Sequence, residues 1–414
     1  MRSVQLNNNS TISSSTSGNG NAGSVTTGAN QTISLNNSRI QSAVNENGKG
    51  DAGTVEINAN NISLNNNSTI SSSTSGNGNA GSVTTRANQT ISLNNSRIES
   101  AVHEGAIGDA GTVEVIAPTI DLNNNSIITS STAGDGDAGD VIIDAANQLT
   151  LNNSLINSAA LPTAGSDAGN LDIVTGNLNI FNGSQLSTSN AVEGRGGNIS
   201  IFTFGNLTLN NQAFISSETQ GGAGNIIINA DNVFLNNNSQ LTTNATGEAA
   251  GGNITINTEF LLGLRNSNIT ANSQNNAGGQ ILINAARVLG LQVRENLTEN
   301  SDVTATGTLS GTITLNIDET EEGRGQIQLP HNILDQSILL SQNICQQGRN
   351  SEFIICGKGG IAITPSDFFI PNLIDIEWVE PVINKEIDSR ELIATEKIST
   401  ELPIWQPLQF ASCY

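Results

Sequence analysis

Short stretches of strict apolar and polar alternation recur along this chain. Gln31-Thr32-Ile33-Ser34-Leu35 and Thr54-Val55-Glu56-Ile57-Asn58 each place an aliphatic at every second position, the period of a half-buried strand. The apolar positions are mostly β-branched, and nowhere in the repeats do they fall at helical spacing. About three short strands are predicted per repeat, separated by Asn-rich corners and one Gly-rich loop such as Ser17-Gly18-Asn19-Gly20-Asn21-Ala22-Gly23.

The alternating stretches are themselves periodic. Residues 6–44 and 64–102 match at 37 of 39 positions, differing only at Gly28/Arg86 and Gln41/Glu99. Each half of this 58-residue duplication is again double. An apolar-Asn-Asn signature starts at Leu6, Leu35, Leu64, Leu93, Leu122 and Leu151, with degenerate versions at Ile180, Leu209, Leu235 and Leu264. Eight of the nine steps are 29 residues, and the step from Leu209 to Leu235 is 26. Two columns emerge when the repeats are stacked. One holds an asparagine two places after each signature start, from Asn8 and Asn37 to Asn237 and Asn266. The other pairs a glycine with an aliphatic two places on, from Gly23/Val25 and Gly53/Val55 to Gly311/Ile313.

Identical residues once per repeat, with short strands between, are what a parallel β-helix requires. Its coils stack at the ~4.8 Å strand spacing, so like residues lie over one another. The asparagine column reads as a buried amide ladder, and the glycine column as a corner needing positive φ. The expected fold is therefore all-β: a parallel β-helix, or solenoid, of about eleven coils over residues 1–340, on the order of 50 Å long. The crossover rule makes it right-handed. Propellers need about four strands per ~40-residue repeat with aromatic signatures, which are missing here.

Composition changes after about residue 340. Residues 341–414 hold seven of the thirteen aromatics and five of the eight prolines. An open terminal coil calls for a cap, so residues 341–364 are read as a cap and 365–414 as an irregular, Pro-containing acidic tail. Cys345 and Cys356 bracket a turn and a strand-like run at a spacing that suits a hairpin-closing disulfide, with two free buried thiols as the alternative. Cys413 is left unpaired.

Charge and composition narrow the partners. Thirty-seven acids against fifteen bases give a net charge of −22, which opposes binding to nucleic-acid phosphates or anionic lipid and argues against a polyanion partner. No apolar run approaches the ~18 residues of a transmembrane segment. The first 300 residues carry 21 acids and nine bases, scattered over many columns. Asp135, Asp137 and Asp140, with Asp144 beyond, form the densest cluster and the candidate calcium site, since a hard cation takes oxygen ligands. The alternative is a solvated acidic loop. His103 and His331 have no Cys or Ser partner in a recognisable motif. No catalytic residue is assigned and no cofactor beyond that calcium is expected.

The repeats also carry a resemblance. Stacked Leu-Asn-Asn-x-Ser units, each followed by Gly-Asn-Ala-Gly-Ser-Val or Gly-Asp-Ala-Gly-Thr-Val and an Ile-x-Ala strand end, are similar to filamentous-haemagglutinin-type exoproteins of the two-partner secretion class, especially cyanobacterial members. Residues Cys345–Pro365, with Phe353-Ile354-Ile355-Cys356-Gly357-Lys358-Gly359-Gly360-Ile361, resemble a stretch near their carboxy end. The resemblance covers roughly residues 1–365. It implies a right-handed β-helix that is secreted or held on the outer cell surface, exported through an outer-membrane β-barrel transporter, and used in adhesion. Met1 opens in mid-repeat without the family's secretion domain, so the chain is expected to be a carboxy-terminal part of a longer protein.

The expected role is thus a non-catalytic structural or adhesive shaft whose Asn/Ser/Thr faces bind glycans or a neighbouring cell surface. The competing readings are a polysaccharide-active lyase or hydrolase, which would need carboxylates converging near Asp135–Asp144, and a self-assembling surface-layer protein.

Overall fold

A computed structural model describes residues 1–317 apart from 161–165, 191–193, 219 and 223. The expected cap (341–364), the tail (365–414), the Cys345/Cys356 pair and His331 lie outside the described residues. Among those residues the protein is all-β, with no helix and therefore none long and apolar enough to cross a membrane. The strands pair in parallel to form a β-solenoid of two sheets, one of fifteen strands and one of twelve.

One coil shows the plan. Val55–Asn65 runs along the larger sheet and bends at a register shift between Ala59 and Asn61. A corner then leads to Thr69–Thr74 in the smaller sheet, and a Gly-rich loop returns the chain to Val83 one rung on. In other coils the bend breaks the long strand in two, as at Val113–Ile116 and Thr119–Asn123, where Pro118 intervenes.

The register brings the sequence columns together in space. Val25, Val55, Val83, Val113, Val141, Leu171, Ile199, Ile226, Ile254, Ile281 and Ile313 pair in unbroken succession, eleven rungs enclosing ten turns. A second column runs from Leu6 to Leu235. A third, in the smaller sheet, runs from Ile12 to Val303. These columns line one continuous apolar core, and each buried aliphatic contributes about 1.5–3 kcal/mol relative to exposure.

Neither the asparagine nor the glycine column takes the role expected of it. The asparagines are largely exposed rather than buried, and they are the residues at positive φ: Asn8, Asn37, Asn66, Asn95, Asn124 and Asn153 lie between 48° and 58°. Asparagine tolerates this left-handed corner better than other L-residues with side chains. Their amides still form a ladder at the surface, as where Asn66 Nδ2 donates to Asn36 Oδ1 at 2.8 Å. The column glycines keep negative φ and serve close approach instead. A Cβ at Gly53 or Gly111 would lie 2.5 Å from the backbone of the glycine one coil earlier.

The residues buried in the ladders are serines. Ser38, Ser68, Ser96, Ser126, Ser154 and Ser184 are buried at the corner. The Ser68 hydroxyl donates to Asn65 O at 2.6 Å, while its N–H bonds Ser96 Oγ at 3.2 Å. A second series clasps the glycines. Ser72 Oγ donates to Gly53 O at 2.9 Å and accepts from Gly81 N at 2.8 Å; Ser42, Ser100 and Ser130 repeat the arrangement.

Two irregularities break the repeat. Leu264 does not continue the leucine column: Gly263 pairs with Leu235, and Leu264 turns outward, 43% exposed. Asn266 is likewise displaced, because Arg265 N-terminal to it opens the left-handed corner at φ 53°. Leu291 from the next coil fills the missing volume, since a Cβ on Gly263 would come within 2.5 Å of its Cγ. Beyond it, the excursion between Leu289 and Asp302 is tied to Asp302, a buried carboxylate that accepts from Arg294 Nη1 at 2.8 Å and Thr298 N at 2.6 Å.

Candidate functional site

The outer face of the smaller sheet is concave. Ser71, Ala43, Ala101 and Thr129 point outward from their strands, alternating with the core isoleucines, yet all are buried. One wall is made by the corner asparagines Asn67, Asn95 and Asn125, and the other by Asn45, Ser75 and His103, where the Gly-rich loops begin. The enclosed groove has a volume of about 420 Å³.

Its two arginines come from one position of the duplication. Arg39 and Arg97 stand 58 residues apart, in a column that reads Thr11, Arg39, Thr69, Arg97 across successive rungs. The neighbouring column reads Ser13, Gln41, Ser71, Glu99. Arg97 Nη1 pairs with Glu99 Oε2 at 3.1 Å. Arg39 faces Gln41 in the equivalent place, and its guanidinium has no hydrogen-bond or ion-pair partner among the described residues. The Gln41/Glu99 difference is visible in the sequence, but the strand register is what sets it on the same face as the arginines. The available signal was an arginine at the same place in both copies, where the intervening coil has threonine.

Beside the groove, the loops at 46–49 and 103–107 flank Ser75-Gly76-Asn77 and enclose a second cleft of about 600 Å³. They project because alternate coils differ in where they spend their residues. Leu6 to Ile12 spans six residues and Ile12 to Val25 thirteen; Leu35 to Ile40 spans five and Ile40 to Val55 fifteen. The first kind of coil has two left-handed asparagines at its corner, Asn8 and Asn9, and the second has one, Asn37.

The acidic residues singled out in the sequence do not converge. Asp135 sits exposed in an isolated bridge with Ile107. Asp137 Oδ1 accepts the Asp167 N–H at 2.8 Å, and Asp140 Oδ1 accepts that of Asn170 at 2.7 Å. Asp137 belongs to a column of Asn21, Asp51, Asn79, Asp109, Asp137 and Asp167, in which each Oδ1 accepts the next rung's N–H at 2.7–2.9 Å. Asn and Asp interchange there because the bond uses one side-chain oxygen, which both possess. Asp144 lies elsewhere, on the outer face of the larger sheet between Ile116 and Val174. Among the described residues no three His, Cys, Asp or Glu side chains are grouped to hold a metal ion.

Two carboxyls on the larger sheet have raised pKa values. Desolvation lifts Asp172, helped by the nearby Asp140 charge. Desolvation also lifts Asp121, opposed by a hydrogen bond from Thr150. They occupy different columns and form no acid–base pair.

No family model, curated protein or solved structure matches this chain.

Proposed function

We propose that this chain is the non-catalytic, adhesive shaft of a filamentous-haemagglutinin-like protein, secreted or held on the outer cell surface, which binds glycans along its length. On this reading an outer-membrane β-barrel transporter exports the protein. The carrying observation is the unbroken register of eleven aliphatic rungs, by which each coil adds length and a further rung of outward-facing polar side chains. The use of the loop carboxylates as backbone acceptors also supports it, because acceptors so engaged hold the stack together. Repeated weak polar contacts along such a surface add up through effective concentration.

The test is to incubate the purified chain with acidic and neutral polysaccharides, with and without calcium, recording retained polymer and released oligosaccharide together. Retention without release is expected. Release of oligosaccharide would overturn the non-catalytic reading, and retention of no polymer would overturn the adhesive one.

A further inference from the structure

We propose that the groove over the second to fourth coils selects a carboxylated polysaccharide, with Arg39 as the anion-binding residue; this rests on the glycan-binding reading above. The duplication supplies an internal comparison. Residues 6–44 and 64–102 are identical but for two positions, so Arg39 and Arg97 share the same preceding rung and the same strand, differing there in whether a carboxylate stands beside the guanidinium, while the following rung brings Thr69 to Arg39 and Ile127 to Arg97. Glu99 neutralises Arg97, whereas Gln41 leaves Arg39 a free cation at the edge of a concave site. A guanidinium pairs with a carboxylate through two parallel N–H···O bonds, a geometry that a hydroxyl does not reproduce.

The rest of the groove suits a sugar rather than a bare anion. Ser71 on the floor and Asn67 and Asn95 on the wall offer hydroxyl and amide groups to sugar hydroxyls. Arg39 and Arg97 are two rungs apart, about 10 Å, so a polymer lying along the axis passes both. The net charge of −22 does not prevent this. Charges separated by more than about 8–10 Å are largely screened at physiological salt, and the groove itself is lined by two arginines and one glutamate.

The duplication also provides variants with a native precedent. Gln41→Glu installs beside Arg39 the residue that already stands beside Arg97, and Glu99→Gln does the reverse. The probes are polygalacturonate, a neutral galactan and polyglutamate, applied to the immobilised full chain, with circular dichroism confirming the fold of each variant. The parent is expected to retain polygalacturonate above the other two. Gln41→Glu should reduce that retention at least about threefold, and Glu99→Gln should raise it by a similar factor, the scale of one exposed charge pair. Unchanged polygalacturonate retention in both variants would overturn the role of Arg39 while leaving the adhesive shaft standing. Equal retention of galactan would overturn selection for carboxylate, and equal retention of polyglutamate would overturn selection for sugar. Retention of no polysaccharide would overturn both this proposal and the reading beneath it.

Discussion

An L-residue at φ near +55° loses about 1–2 kcal/mol to the contact of its Cβ with the backbone, and asparagine and glycine lose least. Asn124, at φ 56°, also donates from Nδ2 to Asn94 Oδ1 at 3.0 Å. Asn124→Ala should therefore cost about 1–2 kcal/mol in urea unfolding, with Asn124→Gly closer to the parent. The core contains a position with the opposite sign. Thr85 faces inward between Ile57 and Val115, fully buried, and its hydroxyl has no partner. Thr85→Val should stabilise the fold by about 1 kcal/mol, because an unpaired buried hydroxyl is removed at nearly constant shape. Asp172 adds a pH-dependent case. Its folded pKa is raised by desolvation and by Asp140, so the charged form is disfavoured in the folded state. That destabilisation is fully present above the folded pKa and disappears as pH falls towards the ordinary carboxyl value of 3.8. Asp172→Asn should accordingly be more stable than the parent at pH 7, with the advantage vanishing in acid titrations of unfolding.

Backbone hydrogen bonds link each strand to its neighbours within a sheet, and serine links the smaller sheet to the loops that lead into the larger one. Ser100 accepts from Gly111 N at 2.8 Å and donates to Gly81 O at 2.9 Å, with no solvent exposure. Ser100→Ala leaves both backbone groups without that partner and should cost about 1–3 kcal/mol in chemical unfolding. A loss below about 0.5 kcal/mol would show that water replaces the hydroxyl. The clasp also explains the adjoining glycine. With Cβ-to-backbone distances of 2.5 Å at Gly111, a side chain would force the loop off the serine. Element-level charge follows the same local economy. Both differences between the duplicated segments introduce a charged residue, and both find a partner: Arg86 with Glu114 and Glu99 with Arg97. These pairs are exposed enough that each contributes only about 0–1 kcal/mol.

Stability in a solenoid is approximately a sum over coils and their interfaces, so whole units can be removed without unravelling the rest. The unit here is 58 residues rather than 29, because the corner, loop and bend lengths alternate between coils. Deleting residues 36–93 joins Leu35 to Asn94 and recreates the native run Leu-Asn-Asn-Ser-Arg-Ile at the junction. The shortened chain should keep its β circular dichroism and lose about 10 Å of solenoid length, two rungs, by small-angle scattering. Removing residues 36–64 instead joins Leu35 to Asn65, which puts a three-asparagine corner on the strand that precedes a two-asparagine one. That deletion should be the less stable of the two per residue removed.

The parallel solenoid and its core were legible in the repeats alone. Aliphatic side chains repeated every coil can all be buried only if the coils stack in register, so spacing implied both the sheet pairing and the columns from Val25 to Ile313. It also located the asparagine and glycine columns, but periodicity is blind to the sign of φ and to how near one backbone passes another. Only the folded chain decided that asparagine takes the left-handed corner, that glycine admits its neighbour's carbonyl, and that Gly263 yields its place in the column to Leu291. The groove was hidden for a related reason. Its walls come from corners and loops far apart in the chain, and the uniform 29-residue leucine step conceals the alternating lengths that make some loops project. The acidic run at Asp135–Asp140 left a shared cation and a solvated loop both open. Sequence proximity is silent on the stacking direction, and it is the stacking that aims Asp137 and Asp140 at backbone groups of the next rung.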